Sequence, residues 1–280
     1  MHEPLERMVA DVLAAPKYRH LCADTVRRIA AQSLARHKTL AQATQATKSK
    51  LHQVYAAYEA AIDYTQALDE LRSAHQLADP SAFKTVCHRL LSLHASTRER
   101  LPILDTFFER LFAHTGQPSS LLDLACGLGP LALPWMNLAP AATYHAYDID
   151  QRRVEFLNRF FELTDAHGQA HLHDILGRLP AEKADVALLL KASTCLEQQE
   201  KASTLNLIEN LDVSHIIVTY PVQSLGKRPK GMVEHYAQAF TAITANRPWR
   251  ITRLDFATEL AFIVSKQDVA HPICGRHTDR

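Results

Sequence analysis

After residue 118, short apolar runs follow one another at spacings that few folds satisfy. The first five cover residues 121–125, 143–149, 170–175, 186–190 and 215–220, with connections of helix length between them. Runs of this length suit strands buried on both faces, and a parallel neighbour can be reached only by a long crossover. The last two, 250–256 and 260–265, are parted only by Ala257, Thr258 and Glu259. So short a connection fits an antiparallel hairpin. The expected architecture is α/β: a parallel sheet with helices on both faces, ending in an antiparallel edge hairpin.

The first part of the chain has a different period. From about residue 5 to 115 the pattern is helical. Val26, Ile29, Ala30 and Leu34 share one helical face, with Asp24 as the expected N-cap. Good helix formers dominate through residue 80, and Asp79-Pro80-Ser81 breaks the run. The expected organisation is a small all-helical domain (1–80), a helical connection (81–117), an α/β domain (118–266) and a tail (267–280).

Composition narrows the class. Of 280 residues, 47% are hydrophobic and the net charge is +1, which excludes a disordered chain. Five cysteines without a C-x-x-C pair argue against a disulfide framework and a four-cysteine zinc site. His171 and His173 place two imidazoles on one face of an expected strand, but no third ligand has a recognisable spacing, so no metal is expected. The opening MHEPLERMVA is not a secretory signal, and no stretch approaches the roughly 18 apolar residues of a membrane span. A cytoplasmic, reducing setting without membrane contact is expected.

Chemistry concentrates at the ends of the first strands. The segment LLDLACGLGPLA carries Gly127 and Gly129 at a strand-to-helix turn, where glycine permits a tight turn and close backbone approach to a ligand. Gly127-x-Gly129-x-x-Ala132 also meets the loose dinucleotide fingerprint. Asp148 at the second strand tip can accept both hydroxyls of a ribose, whether of NAD or of S-adenosylmethionine. Asp174, at the third, can accept from an adenine amino group. Alone, each acid reads as a helix cap or a solvated loop residue. In consecutive order at one sheet edge they read as a nucleotide site, and the strand layout is that of S-adenosylmethionine-dependent methyltransferases.

Four segments carry a sharper likeness: KYRHLCADTVRRI (17–29), SLHASTRERLPILDTFF (92–108), VTYPVQSLGKRPKGM (218–232) and RLDFATELAFIVSK (253–266). Together they resemble the aminoglycoside-resistance 16S ribosomal RNA methyltransferases of Arm and Rmt type, from about residue 8 to 266. The resemblance implies methyl transfer from S-adenosylmethionine to N7 of a decoding-site guanine in the small (30S) subunit, by a monomer. It implies cofactor contacts from His94, Arg100, Ala125, Gly127, Asp148, Asp174, Ile175 and Leu190. Arg100 would take the methionine carboxylate, a planar fork suiting two oxygens. Lys191 would stand beside the cofactor and target pocket. Tyr220, at a strand end, reads equally as a stacking platform for the flipped base or as a core tyrosine. The chain departs from the family pattern at Gly129, where Asn is usual, after Lys191, where it reads ASTCL, and at Pro229. Alternatives are another rRNA position such as adenine N1, a non-catalytic ribosome-binding factor, and, last, an NAD enzyme.

The near-zero net charge hides an uneven distribution. Residues 17–52 hold eight basic residues against one acid, Asp24, for a local charge of +7, and the remaining 244 residues sum to −6. A concentrated cationic helical segment suits a phosphate backbone. Lys17, Arg27, Arg28, Lys48 and Lys50 are the expected RNA contacts there, with Lys227, Arg228 and Lys230 as a second cluster.

Overall fold

A computed structural model describes residues 2–56, 62–222 and 231–266. Lys227, Arg228, Lys230 and the tail after Lys266 lie outside the described residues. Three helices, α1 (His2–Leu13), α2 (Ala23–Arg36) and α3 (Leu40–Leu51), lead into a π-helical turn at His52–Ala56. Then come α4 (Tyr64–Gln76), α5 (Pro80–Leu91), the short α6 (Ala95–Arg98) and α7 (Leu104–Thr115). Side-chain oxygens explain several starts. Thr39 caps α3, Asp63 caps α4, and Asp79 caps α5 with Pro80 in the first turn. Asp24 is not the cap of α2. The cap position is Cys22, which makes no side-chain cap bond, and Asp24 lies inside the first turn paired with Arg27.

The α/β part runs β1 (Ser120–Leu124), α8 (Leu133–Met136), β2 (Thr143–Asp148), α9 (Gln151–Leu163), β3 (Gly168–Leu172), β4 (Ala184–Leu190), α10 (Ser193–Gln199), α11 (Ser203–Asn210), β5 (Val213–Pro221), α12 (Met232–Thr244), β6 (Arg250–Asp255) and β7 (Glu259–Ser265). Strand order is β3-β2-β1-β4-β5-β7-β6, with β7 antiparallel to both neighbours and the other pairs parallel. The order reverses between β1 and β4, and open α/β sheets bind ligands outside the carboxyl ends at such a point. All seven expected strands are present. The third is shorter than its apolar pattern suggests. It stops at Leu172: the His173 amide makes the last ladder bond, to the Asp148 carbonyl, and the chain then turns, with the Asp174 carbonyl accepting from Gly177 and Arg178.

Two apolar clusters sandwich the sheet, and a third is separate. One face packs Tyr144, Ala146 and Ala170 against Phe156, Phe160 and Phe161 of α9 and against α7. Leu71, Cys87 and Leu90 of α4 and α5 belong to that same cluster. The opposite face joins Leu122, Leu189 and Val218 to Leu207 and Phe240. Residues of α1 to α3 form their own core of Met8, Val12, Val26, Ile29, Leu51 and Tyr55. The expected helical segment up to residue 80 thus divides between two cores: α1 to α3 pack among themselves, while α4 packs on the α/β layer.

That separate core is seated on the sheet edge by hydrogen bonds to residues 149–151. The Cys22 amide donates to the Ile149 carbonyl, and the Gln151 amide to the His20 carbonyl, each at 2.8 Å. The Tyr55 hydroxyl donates to Asp150, which is fully buried and also caps α9 through the Arg152 amide. Asp150 is held below its ordinary value by bonds from Arg152 and Tyr55, which outweigh its burial. The seating places α2 directly above the carboxyl ends of β2 and β3.

Candidate active site

A cavity opens where α2 overhangs the sheet. The chain reaches it from several strand ends: Ala125 and Gly127 after β1, Asp148 at the end of β2, Asp174 and Ile175 after β3, and Leu190 and Lys191 at the end of β4. His94 lines it from the HASTRER segment, and Thr25, Arg28 and Tyr55 from the N-terminal helices. Of the eight residues expected at the cofactor, seven line this cavity, and so does Lys191. Ala125 (φ 52°) and Lys191 (φ 58°), each just past a strand end, hold a left-handed backbone conformation. Such strain is uncommon in non-glycine residues and concentrates at functional sites.

Asp148 organises the floor. Its carboxylate accepts from the Gly127 amide at 3.0 Å and the Asp150 amide at 2.9 Å, and Arg153 Nη1 lies 2.9 Å from both oxygens. The pair is almost fully buried, so removing one partner costs about 3–5 kcal/mol. One carboxylate therefore fixes the glycine turn and the start of α9 together. Gly127 itself has φ 54°, and a Cβ there would come within 3.1 Å of the His94 ring. Gly127→Ala should lower the unfolding free energy by about 1–2 kcal/mol, the usual cost of that backbone region. A urea midpoint indistinguishable from wild type would count against this.

Asp174 is held from across the domain boundary. Arg28 of α2 donates through Nε to Oδ2 at 2.7 Å and through Nη2 to Oδ1 at 3.0 Å, with a third bond to Gln199. Arg28 is therefore not an outward RNA contact. The helical face that buries Val26 and Ile29 turns it inward, where it forms the cavity wall. Arg27, one position on, is half-exposed and pairs with Glu6 and Asp24. Lys17 is exposed near His52, and Lys50 donates to the Gln198 carbonyl. Lys48 is half-buried, and its carbonyl accepts from Tyr18.

Two expected contacts stand elsewhere. Arg100 does not line the cavity. It is buried with Nε 2.8 Å from Glu259 Oε1, and its guanidinium lies over Phe107. Its fork faces the β7 carboxylate rather than a ligand, because Glu259 is wholly buried and needs a cation. Lys191 Nζ joins the same group, 3.1 Å from Glu99 and 3.2 Å from Glu259. Burial first, then Arg100, pulls the Lys191 amine below its ordinary value, while Glu259 and Glu99 oppose the shift. Tyr220 is a core residue, not a stacking platform. Its ring stacks on Tyr236 at 4.7 Å, meets Phe240 and Phe262 edge-on, and its hydroxyl pairs with Ser193. Among the described residues these neighbours leave Tyr220 buried.

The buried acid of β1 adds a pH-sensitive element. Asp123 accepts from the Tyr144 hydroxyl at 2.7 Å, and burial raises its pKa from 3.8 to about 7. The folded chain keeps a proton that the unfolded chain releases above pH 3.8. This stabilisation is therefore complete below 3.8 and lost as pH rises through 7. Asp123→Asn, which mimics the protonated acid, should gain Tm relative to wild type between pH 5 and pH 8. A constant difference across that range would refute the assignment.

The cavity suits a nucleoside ligand. Ile149, Ile175, Leu176 and Leu190 give apolar walls, the Asp148 and Asp174 carboxylates belong to the lining, and Gly127 allows close approach. Thr25 Oγ1 and Arg28 Nη1 are buried in the lining with no hydrogen-bond partner among the described residues. Burying polar atoms in this way is costly unless something pairs with them. His94 is kept neutral, its pKa pushed down to about 3 by burial and then by Arg153 and other nearby cations. A doubly wound sheet with an antiparallel β7 and a glycine turn between strand-end acids defines an S-adenosylmethionine-dependent methyltransferase. The model of the ribosomal RNA methyltransferase (FmrO) family matches residues 14–263, and the chain belongs to that family.

Relatives share nearly full length. A 16S rRNA (guanine(1405)-N(7))-methyltransferase of Micromonospora rosea is 37% identical over 94% of this chain and 97% of its own. One of Serratia marcescens is 34% identical over 92% and 97%. The crystal structure of 16S rRNA methyltransferase RmtF in complex with S-adenosyl-L-homocysteine aligns with TM-score 0.80 and 32% identity, covering 95% of this chain and all of that one. The 16S rRNA methylase RmtB aligns at 0.76 and 31%, covering 94% and 98%. No helix among the described residues is long and apolar enough to cross a membrane.

Sequence reasoning missed Thr25, Tyr55 and Arg153 as cavity residues and Glu259 as the partner of Arg100. Arg153 had a signal, since it lies five residues after Asp148 on the first turn of α9. The other three come from segments distant in sequence, which no local pattern links to the glycine turn.

Proposed function

We propose that this chain methylates N7 of guanine 1405 in 16S rRNA, using S-adenosylmethionine, and so confers aminoglycoside resistance. The observation that carries this reading is the cavity at the β1/β4 switch point in a chain 37% identical to a methyltransferase of that name over nearly its full length. S-adenosylmethionine supplies a methyl group already activated on a sulfonium. In this reading Asp148 accepts from the ribose diol and Asp174 from the adenine amino group, with Ile175 and Leu190 beside the base; all four line the cavity. Lys191 stands at the far wall, nearest the buried Arg100–Glu259 pair.

Guanine N7 is a neutral nitrogen with an available lone pair, so its methylation requires no proton removal. The lining agrees with that chemistry. His94 is neutral at any working pH, and Lys191 is tied to two glutamates. Neither is a poised base. Rate enhancement then comes from positioning, which can supply about 7–11 kcal/mol in well-oriented systems. The target base must leave its stack, at a cost of a few kcal/mol.

The N-terminal helices dock on the small subunit through Lys17, Arg27, Lys48 and Lys50, with Lys227, Arg228 and Lys230 as a second contact. The protein acts as a monomer on the 30S subunit in the cytoplasm. Recognition reads RNA shape and backbone more than base sequence. The test is incubation of 30S subunits with the protein and labelled S-adenosylmethionine, followed by nuclease digestion and mapping. The expected product is 7-methylguanosine at position 1405. Label in 1-methyladenosine, or none in the RNA, overturns the reading.

A further inference from the structure

Outside the cavity, one cluster has the make-up of a metal site. His145 on β2, His171 on β3 and Glu182 in the segment between β3 and β4 bring their ligand atoms within 4.8 Å of one another. The β2/β3 register pairs Tyr147 with His171, so His145, Tyr147 and His171 lie on one face of the sheet. His145 Nδ1 and His171 Nε2 are 3.1 Å apart. Two nitrogens bound at 2.0–2.1 Å to one tetrahedral zinc stand about 3.3 Å apart, so the pair is already at coordination spacing. We propose that His145, His171 and Glu182 form a binding site for a borderline divalent transition-metal ion such as Zn²⁺, with solvent completing the coordination.

The surroundings support the assignment. Two imidazoles and one carboxylate are a donor set that Zn²⁺ accepts in open three-ligand sites. All three residues are half-buried, so desolvation strengthens binding while an entry path remains. The Tyr147 hydroxyl donates to Glu182 Oε2, and its ring stacks on His171 at 4.9 Å. That is the outer-shell support which orients metal ligands. His173 is not part of this group; its Nε2 lies 2.7 Å from the Arg178 carbonyl. Tyr147 also lines the active-site cavity, so the metal would brace β2, β3 and the returning segment behind the cavity wall.

The test titrates Zn²⁺ into chelator-stripped full-length protein against a chromophoric chelator and reads stoichiometry and affinity. The exposed His37 provides a control for adventitious binding through its alanine variant. The wild type and His37→Ala should each bind one Zn²⁺ more tightly than all others. Glu182→Gln should weaken that site at least about 10-fold, since losing a charged ligand costs no less than losing an outer-shell partner, and His145→Ala/His171→Ala should remove it. Circular dichroism verifies that each variant is folded. Replacing Zn²⁺ by Co²⁺ should give tetrahedral d–d absorption without a thiolate charge-transfer band. Unchanged stoichiometry and affinity in the folded double variant, or a thiolate band, overturns the proposal.

Discussion

Asp148→Asn is expected to lose at least about 100-fold in affinity for S-adenosylmethionine. The carboxylate has several bonds to lose: it accepts from the amides of Gly127 and Asp150 and pairs with Arg153. Asparagine offers one acceptor oxygen and turns an amide donor toward groups that are themselves donors. Two ribose hydroxyls donating to the charged acceptor would be worth about 1.5–3 kcal/mol each, so losing both exceeds about 3 kcal/mol of binding, while the bonds to Gly127, Asp150 and Arg153 bear on stability. At about 1.4 kcal/mol per tenfold, that is two orders of magnitude. Part of the loss also appears as lower Tm, because the buried Arg153 keeps its charge without its carboxylate. Calorimetric titration at a temperature where circular dichroism shows the variant folded separates the two effects. Affinity within tenfold of wild type would remove Asp148 from the ligand site.

Arg28→Glu and Arg27→Glu, neighbours in sequence, should behave oppositely. Reversing Arg28 sets one carboxylate against Asp174 where a bidentate ion pair stood, with both positions largely buried. Breaking a buried pair costs about 3–5 kcal/mol, and the like charge adds to it. Cofactor affinity should fall at least tenfold, with a lower Tm as α2 loosens from the sheet edge. Reversing Arg27 disturbs only half-exposed contacts with Glu6 and Asp24, worth about 0–1 kcal/mol. It should leave cofactor affinity within about twofold while weakening 30S binding at low salt. Calorimetry with S-adenosylmethionine and filter binding to 30S subunits read the two outcomes. Equal cofactor affinity in both variants would show that Arg28 does not support the cavity.

The contrast between Arg27 and Arg28 shows where a charge count stops being informative. Both contribute to the +7 of residues 17–52, and counting cannot distinguish the solvent side from the buried side of a helix. The pattern of Val26, Ile29 and Ala30 locates the buried face, but not what Arg28 meets there. Its partner is Asp174, 146 residues away. Tyr220 is a similar case. Its place at a strand end suggested access to the target base, but packing on Tyr236, Phe240 and Phe262 closes its faces. Arg100 differs because its charge is met by Glu259, whose burial no pattern around Thr258 reveals.

What the amino-acid order determined by itself was local: strand and helix periodicity, the two glycines of the first turn, and acids one strand tip apart. These arise from contacts between residues near in sequence or from alternation along one element, and they were enough to place Gly127, Asp148, Asp174 and Lys191 at one sheet edge. Tertiary structure alone decided which side chains enclose the cavity and which charges neutralise one another. It also decided that His145, His171 and Glu182 converge. The physical reason is that burying a charge requires a partner at hydrogen-bond distance, and the fold supplies that partner from whichever distant segment it brings there.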